Sequence, residues 1–142
     1  KPMHGTNNIP FSVLSSNFAT KFLTDGGMPY CRLHDTMGSY GGCYYVDVPN
    51  IFPDFDADEE DESNYDFDLT DDYIAVIQNA GCETFYRLGV TIEWARKKYR
   101  AHPPKDFAKW ARICEHIIRH YTEGWANGFK MNITKKQEDF VY

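Results

Sequence analysis

The chain has 142 residues, of which 42% are hydrophobic, 25% charged and 16% aromatic, with a formal net charge of −6. The acidic balance argues against a nucleic-acid partner, which needs clustered Lys and Arg on one face. No run of about 18 apolar residues is present to span a membrane. The four cysteines include no Cys-x-x-Cys pair, so neither a structural zinc site nor a thioredoxin-like motif is supported, and small buried hydrophobes are expected.

In chain order, residues 2–7 read as a strand that enters a turn at Asn7-Asn8-Ile9-Pro10. Val13, Leu14, Phe18, Phe22 and Leu23 recur three and four apart, which predicts a helix over 13–24. Asp25-Gly26-Gly27 ends it, because glycine accepts the left-handed turn that closes a helix. Tyr30-Cys31-Arg32-Leu33-His34 reads as a strand over 29–34. A long connection follows, from Asp35 to Asp68, with Gly38, Gly41, Gly42, Pro49, Pro53 and the acidic run Asp54 to Glu62; connections of this length are usually functional or mobile.

A second helix is predicted over 69–80, with Asp68 or Thr70 as N-cap, Asp71 and Asp72 in the first turn, and Gly81 closing it. Residues 83–88 form the third strand. After a connection through Pro103-Pro104, a third helix is predicted over 105–125. Its apolar stripe is Phe107, Trp110, Ala111, Cys114, Ile117, Ile118 and Tyr121. Phe129 to Ile133 would begin a fourth strand. The alternation predicts an α/β fold of three βα units with parallel strands and right-handed crossovers.

Ligand sites in α/β folds lie at the carboxyl ends of the strands. That rule selects Asn7 and Asn8, then His34 and Asp35, then Arg87 through Glu93. Alternation puts Tyr30, Arg32 and His34 on one strand face and Cys31 and Leu33 on the other. The apolar face should meet helices, which leaves Arg32 and His34 on the inner side, where a functional polar site is favoured over a structural ion pair.

Other spacings lead nowhere specific. The run from Asp54 opens with the Asp-x-Asp-x-Asp spacing of a calcium loop, but Glu59 stands where glycine is needed and Tyr65 where a bidentate Glu is needed. A solvated loop is expected. His116 and His120 are four apart, yet Ile117 follows His116, so the zinc-protease motif is absent; a solvated face shared with Arg112, Arg119 and Glu123 is expected. No nucleophile elbow or phosphate loop occurs, and no metal or cofactor is implied.

Several segments together resemble the N-terminal part of the catalytic barrel of glycoside hydrolase family 39, which contains β-xylosidases and α-L-iduronidase. They are Gly5-Thr6-Asn7-Asn8, Arg32-Leu33-His34-Asp35, Tyr65-Asp66-Phe67 with Leu69, Asp72 and Tyr73, Phe85-Tyr86-Arg87-Leu88-Gly89, and His120-Tyr121 with Gly124-Trp125 and Gly128-Phe129. The resemblance implies a partial TIM (β/α)8 barrel over 1–133, since a whole barrel takes ~250 residues, and a divergent tail over 134–142. It implies retaining hydrolysis of O-glycosidic bonds by two glutamates, with a carbohydrate substrate met by Asn7, Asn8, His34, Asp35, Arg87 and Glu93.

In the family, the fourth strand runs into Trp-Asn-Glu-Pro, whose Glu is the acid/base. Residues 134–142 read Thr-Lys-Lys-Gln-Glu-Asp-Phe-Val-Tyr instead, so the expectation is a fragment inactive alone, with Glu138 nearest the acid/base position. Arg87 departs from the family, where Glu is frequent, so the sugar is not carried over. Two other outcomes are a non-catalytic carbohydrate-binding remnant and an α/β protein completed by another chain or by itself through exposed strand edges. Family analogy favours an extracellular or periplasmic location.

Overall fold

The computed structural model describes residues 4–8, 21, 23–33, 44–91, 96–98 and 100–128. They fall into two compact units, residues 1–103 and 104–142.

The first unit is built on three short parallel strands, β1 (Thr6–Asn7), β2 (Tyr30–Arg32) and β3 (Glu83–Phe85), in the order β1-β2-β3. The register sets Thr6, Cys31 and Thr84 side by side, with Asn7, Arg32 and Phe85 as the next row. Backbone bonds extend the ladder past the strand ends, from Asn8 N to Arg32 O (2.9 Å) and from Leu33 N to Phe85 O (3.0 Å). The strands lie inside the ranges 2–7, 29–34 and 83–88. Of the helix expected over 13–24, residues 21 and 23–25 are helical, and 9–20 and 22 lie outside the described residues.

The two sheet faces differ as the alternation requires. Cys31 and Leu33 are fully buried, whereas Tyr30 and Phe85 are exposed. Helix α2 (Asp68–Asn79) packs beside β3 and buries Tyr73, Ile74 and Ile77. Cys82 is buried just ahead of β3, its Sγ donating to Met28 O at 3.1 Å, and burial raises its thiol pKa.

The connection after β2, read from the sequence as a long loop of functional or mobile kind, is packed over its described part. Residues 44–68 are packed, with Tyr45, Val46, Val48, Ile51, Phe52 and Phe67 buried, and they contain a one-turn helix, α1 (Val48–Ile51). Pro49 suits this turn, since the missing N–H is not needed at the start of a helix. Phe52, Tyr65 and Phe67 form a run of aromatic contacts with centroids 4.7 and 5.8 Å apart, and Tyr45 meets Tyr73 edge-on at 5.7 Å. Six buried apolar and aromatic side chains were enough to make a small core in this stretch, despite the length of the segment.

Helix α2 spans Asp68–Asn79. Its N-cap is Phe67, not Asp68 or Thr70; Asp68 is already helical, its N–H held by the Asp66 carboxylate at 3.2 Å. Thr70 is occupied elsewhere, its hydroxyl donating to Tyr45 O at 2.8 Å and tying α2 to the packed connection. Acidic residues in the first turn are Asp68 and Asp71, on the side that favours negative charge. Gly81 closes the helix at φ +78°, a backbone geometry costly for residues with a Cβ.

The acidic run is solvated, as expected, but it is ordered by its own carboxylates. Asp54 accepts from Asp56 N, Asp58 from Glu60 N, and Asp61 from both Ser63 N and Ser63 Oγ, a chain of successive Asx turns. The Ser63 backbone and hydroxyl bonds hold the Asp61 carboxyl below its usual value.

The second unit holds helix α3 (Phe107–Thr122) and a short 3-10 turn, Trp125–Asn127. Asp106 caps α3 by accepting from Ala108 N and Lys109 N. The helix is shorter than 105–125, because Gly124 adopts φ +85° and ends it. The buried face is Ile113, Cys114, His116, Ile117, His120 and Tyr121, while Phe107, Ala111 and Ile118 are exposed. This corrects the expected stripe and the expected solvated histidines. Positions 113, 116, 117 and 120 repeat at helical spacing, so the face the helix buries is rotated to include both imidazoles.

Candidate functional site

The carboxyl end of β3 holds a buried ion-pair network. Asp47, only 1% exposed, sits in the connection after β2, accepts three hydrogen bonds from residues that follow β3, and is approached by a further cation. Arg87 Nη2 reaches its Oδ1 at 3.0 Å, Thr91 Oγ1 reaches the same oxygen at 2.9 Å, and Thr91 N reaches Oδ2 at 2.6 Å. Arg100 Nη1 approaches Oδ2 at 3.6 Å, with its guanidinium 4.9 Å from the Tyr44 ring centroid. Arg87 also donates to Thr91 Oγ1 (3.1 Å) and to Val90 O (3.0 Å).

A buried carboxylate is tolerated only when its charge is matched and its lone pairs are filled. Both conditions hold at Asp47. The network binds the β2–α2 connection to the segment after β3, and Val48 N to Gly89 O (3.0 Å) adds a backbone tie between the same two stretches. Arg87 Nε is buried and makes no hydrogen bond. The two Nη atoms of Arg87 are thus engaged by protein acceptors, so its action at this rim is to hold the connections in place.

The other selected residues are placed as follows. Asn7 is exposed at the end of β1. Asn8 follows at φ +51°, a left-handed conformation that Asn tolerates better than most residues. With β2 between them, β1 and β3 are separated by two strand spacings, about 10 Å. His34, Asp35, Glu93 and Glu138 lie outside the described residues. Arg32, on the sheet face opposite Cys31 and Leu33, is half-buried and registers between Asn7 and Phe85.

Asp47 and Arg100 escaped the sequence reading, and Thr91 was covered only as part of the range Arg87 through Glu93. A signal was present: Asp47-Val48-Pro49 is the acidic-residue-then-proline pattern that opens a helix. It was masked by the glycines around it, and the Asp47 side chain turns to Arg87 instead of capping α1.

The paired histidines are held by local structure. His116 stacks on Trp125 with centroids 4.4 Å apart and planes 10° apart, and His120 Nδ1 lies 2.8 Å from Trp125 O. Gly128 makes this closure possible, since a Cβ there would run into the His120 carbonyl. Among the described residues no group of three His, Cys, Asp or Glu side chains could hold a metal ion, and no helix is long and apolar enough to cross a membrane.

Over 89% of its length the chain is similar in fold to a crystal structure of a glucosidase from Croceicoccus marinus, at a TM-score of 0.60 and 23% sequence identity. It spans 26% of that chain, so the likeness concerns about a quarter of the larger protein and, at this identity, concerns fold alone. No family model matches the chain, and no curated protein does.

Proposed function

We propose that this chain is the opening portion of a glycoside hydrolase barrel, three βα units whose carboxyl-end rim takes part of a sugar substrate. The observation that carries the reading is the sheet: three parallel strands in chain order, polar residues at their carboxyl ends, in a fold similar to part of a glucosidase. The finer reading is a xylosidase-like, retaining member of family 39. In it, Asn7, Asn8, His34, Asp35 and Glu93 border the sugar, and Arg87 shapes the rim through Asp47.

Retaining hydrolysis needs two carboxyl groups ~5 Å apart, one as nucleophile and one as acid/base. Among the described residues the rim supplies neither, because the buried carboxylate found there, Asp47, is filled by Arg87, Thr91 and Arg100. Loss of general-acid assistance alone costs ~10²–10⁴-fold in rate. This chain by itself should therefore bind sugar without cleaving it. The test is turnover of aryl β-xyloside, aryl β-glucoside and aryl α-iduronide by the wild type and by Glu138→Gln. Equal, background rates are expected; turnover lost on that substitution would overturn the reading and make Glu138 catalytic.

A further inference from the structure

The row at the carboxyl ends of the strands, Asn7-Arg32-Phe85, carries chemistry that the rim network does not use. The parallel register sets these three residues abreast on one sheet face, at strand spacings of about 4.8 Å. Phe85 is 61% exposed, Asn7 is exposed and Arg32 is half-buried. The side chains of Asn7 and Arg32 have no hydrogen-bond or ion-pair partner among the described residues. The row behind it, Tyr30 beside Glu83, is exposed as well.

Two roles compete for such a face. One is a packing layer awaiting further strands. Interior layers of closed parallel barrels are built mainly from Val, Ile and Leu, whose branched side chains interlock. Neither row contains an aliphatic residue; the aliphatic and thiol side chains, Cys31 and Leu33, are all on the opposite face. A guanidinium pressed into an apolar layer without an acceptor would be costly. The other role is a ligand platform, in which an exposed ring offers its face and flanking donors supply direction. The residues fit the second.

We propose that Phe85 is a stacking platform for one pyranose ring of an uncharged saccharide, with Arg32 and Asn7 donating hydrogen bonds to its hydroxyls. The C–H face of the sugar sheds water against the Phe85 ring, and the Arg32 guanidinium points several fixed donors at one edge. This rests on the carbohydrate reading and deepens it, since neither Arg32 nor Phe85 was among the residues selected as bordering the sugar.

The experiment is an amide and ring-proton NMR titration of the full chain with xylobiose and, separately, cellobiose. Phe85→Ala, Arg32→Gln and Phe85→Trp are titrated alongside, and circular dichroism confirms that each is folded. Substitution at exposed Phe85 and at half-buried Arg32, whose side chain makes no polar bond among the described residues, should leave the fold intact. The expected result is saturation transfer to the Phe85 ring, shifts at Asn7 and Arg32, and binding about tenfold weaker in Phe85→Ala and Arg32→Gln. Phe85→Trp should keep or improve binding. Sugars that bind all four proteins equally, with shifts at Asp47 and Arg87 through Thr91 instead, would overturn the platform and leave the carbohydrate reading standing. No saturable shift with either sugar in the wild type would overturn both.

Discussion

Two stretches of one connection carry aspartate under opposite conditions. Residues 44–52 hold a single carboxylate, Asp47, buried and matched by Arg87, Thr91 and Arg100. Residues 54–62 hold most of the connection's negative charge, in the open, where Asp54, Asp58 and Asp61 accept from backbone N–H groups two residues ahead. The same side chain joins distant segments in one place and shapes a local turn in the other. Density of charge is therefore a poor guide to where charge matters; burial and the partner's distance along the chain decide it.

The strongest way to break this comparison is Asp47→Ala. Removing one partner of a buried pair leaves the others uncompensated, and a loss of about 3–5 kcal/mol is expected in urea denaturation. A loss below ~1 kcal/mol would show that Asp47 is a solvated carboxylate like its neighbours. Thr91→Val should come next. It keeps the shape but deletes a hydroxyl that donates to Asp47 and accepts from Arg87, so about 1.5–3 kcal/mol is expected by the same measurement. Arg100→Ala should cost only about 0–1 kcal/mol, because its guanidinium is partly exposed and approaches Asp47 at 3.6 Å without a short hydrogen bond. A loss matching that of Asp47→Ala would shift the weight of the network from Arg87 to Arg100.

Asp61→Ala should lower the denaturation midpoint only slightly at neutral pH, since the carboxyl is fully exposed. Its signature belongs to acid: the folded carboxyl titrates below its usual 3.8, so its contribution is present above that pH and lost as pH falls further. Comparing thermal midpoints of wild type and variant from pH 5 to pH 2 checks this, with convergence at the acid end expected. Divergence there would reverse the assigned direction. Cys114 supplies a control at the alkaline end, because burial pushes its thiol up to about 11. Stability should decline as pH rises from 9 toward 11, and Cys114→Ala should flatten that decline.

The regular elements were legible from periodicity and punctuation. The candidate capping residues, the acidic first turn and Gly81 placed α2 to within a residue, and the alternation of Tyr30, Cys31, Arg32 and Leu33 assigned the sheet's two faces correctly. Where periodicity was absent, the reading failed. The packed connection around α1 shows no repeat, because its side chains meet α2 and the end of β3, more than 20 residues away. The histidines of α3 failed for another reason. Polar side chains are usually assigned to the wet face, and only the return of the chain at Trp125 supplies the ring and carbonyl that make burial of His116 and His120 tolerable.

By itself the sequence determined the order of strands and helices, their parallel sense and which strand residues turn away from the helices. These follow from local sterics and from the two periods of backbone geometry, which act within a few residues. Only the tertiary structure decided that Asp47 is the buried carboxylate of the rim, that Arg87 holds the protein's own acceptors, and that Asn7, Arg32 and Phe85 stand in one row. Each of those depends on register and pairing between segments that are 25 to 53 positions apart, and the energy of such contacts is set by distance in space, which no local pattern encodes.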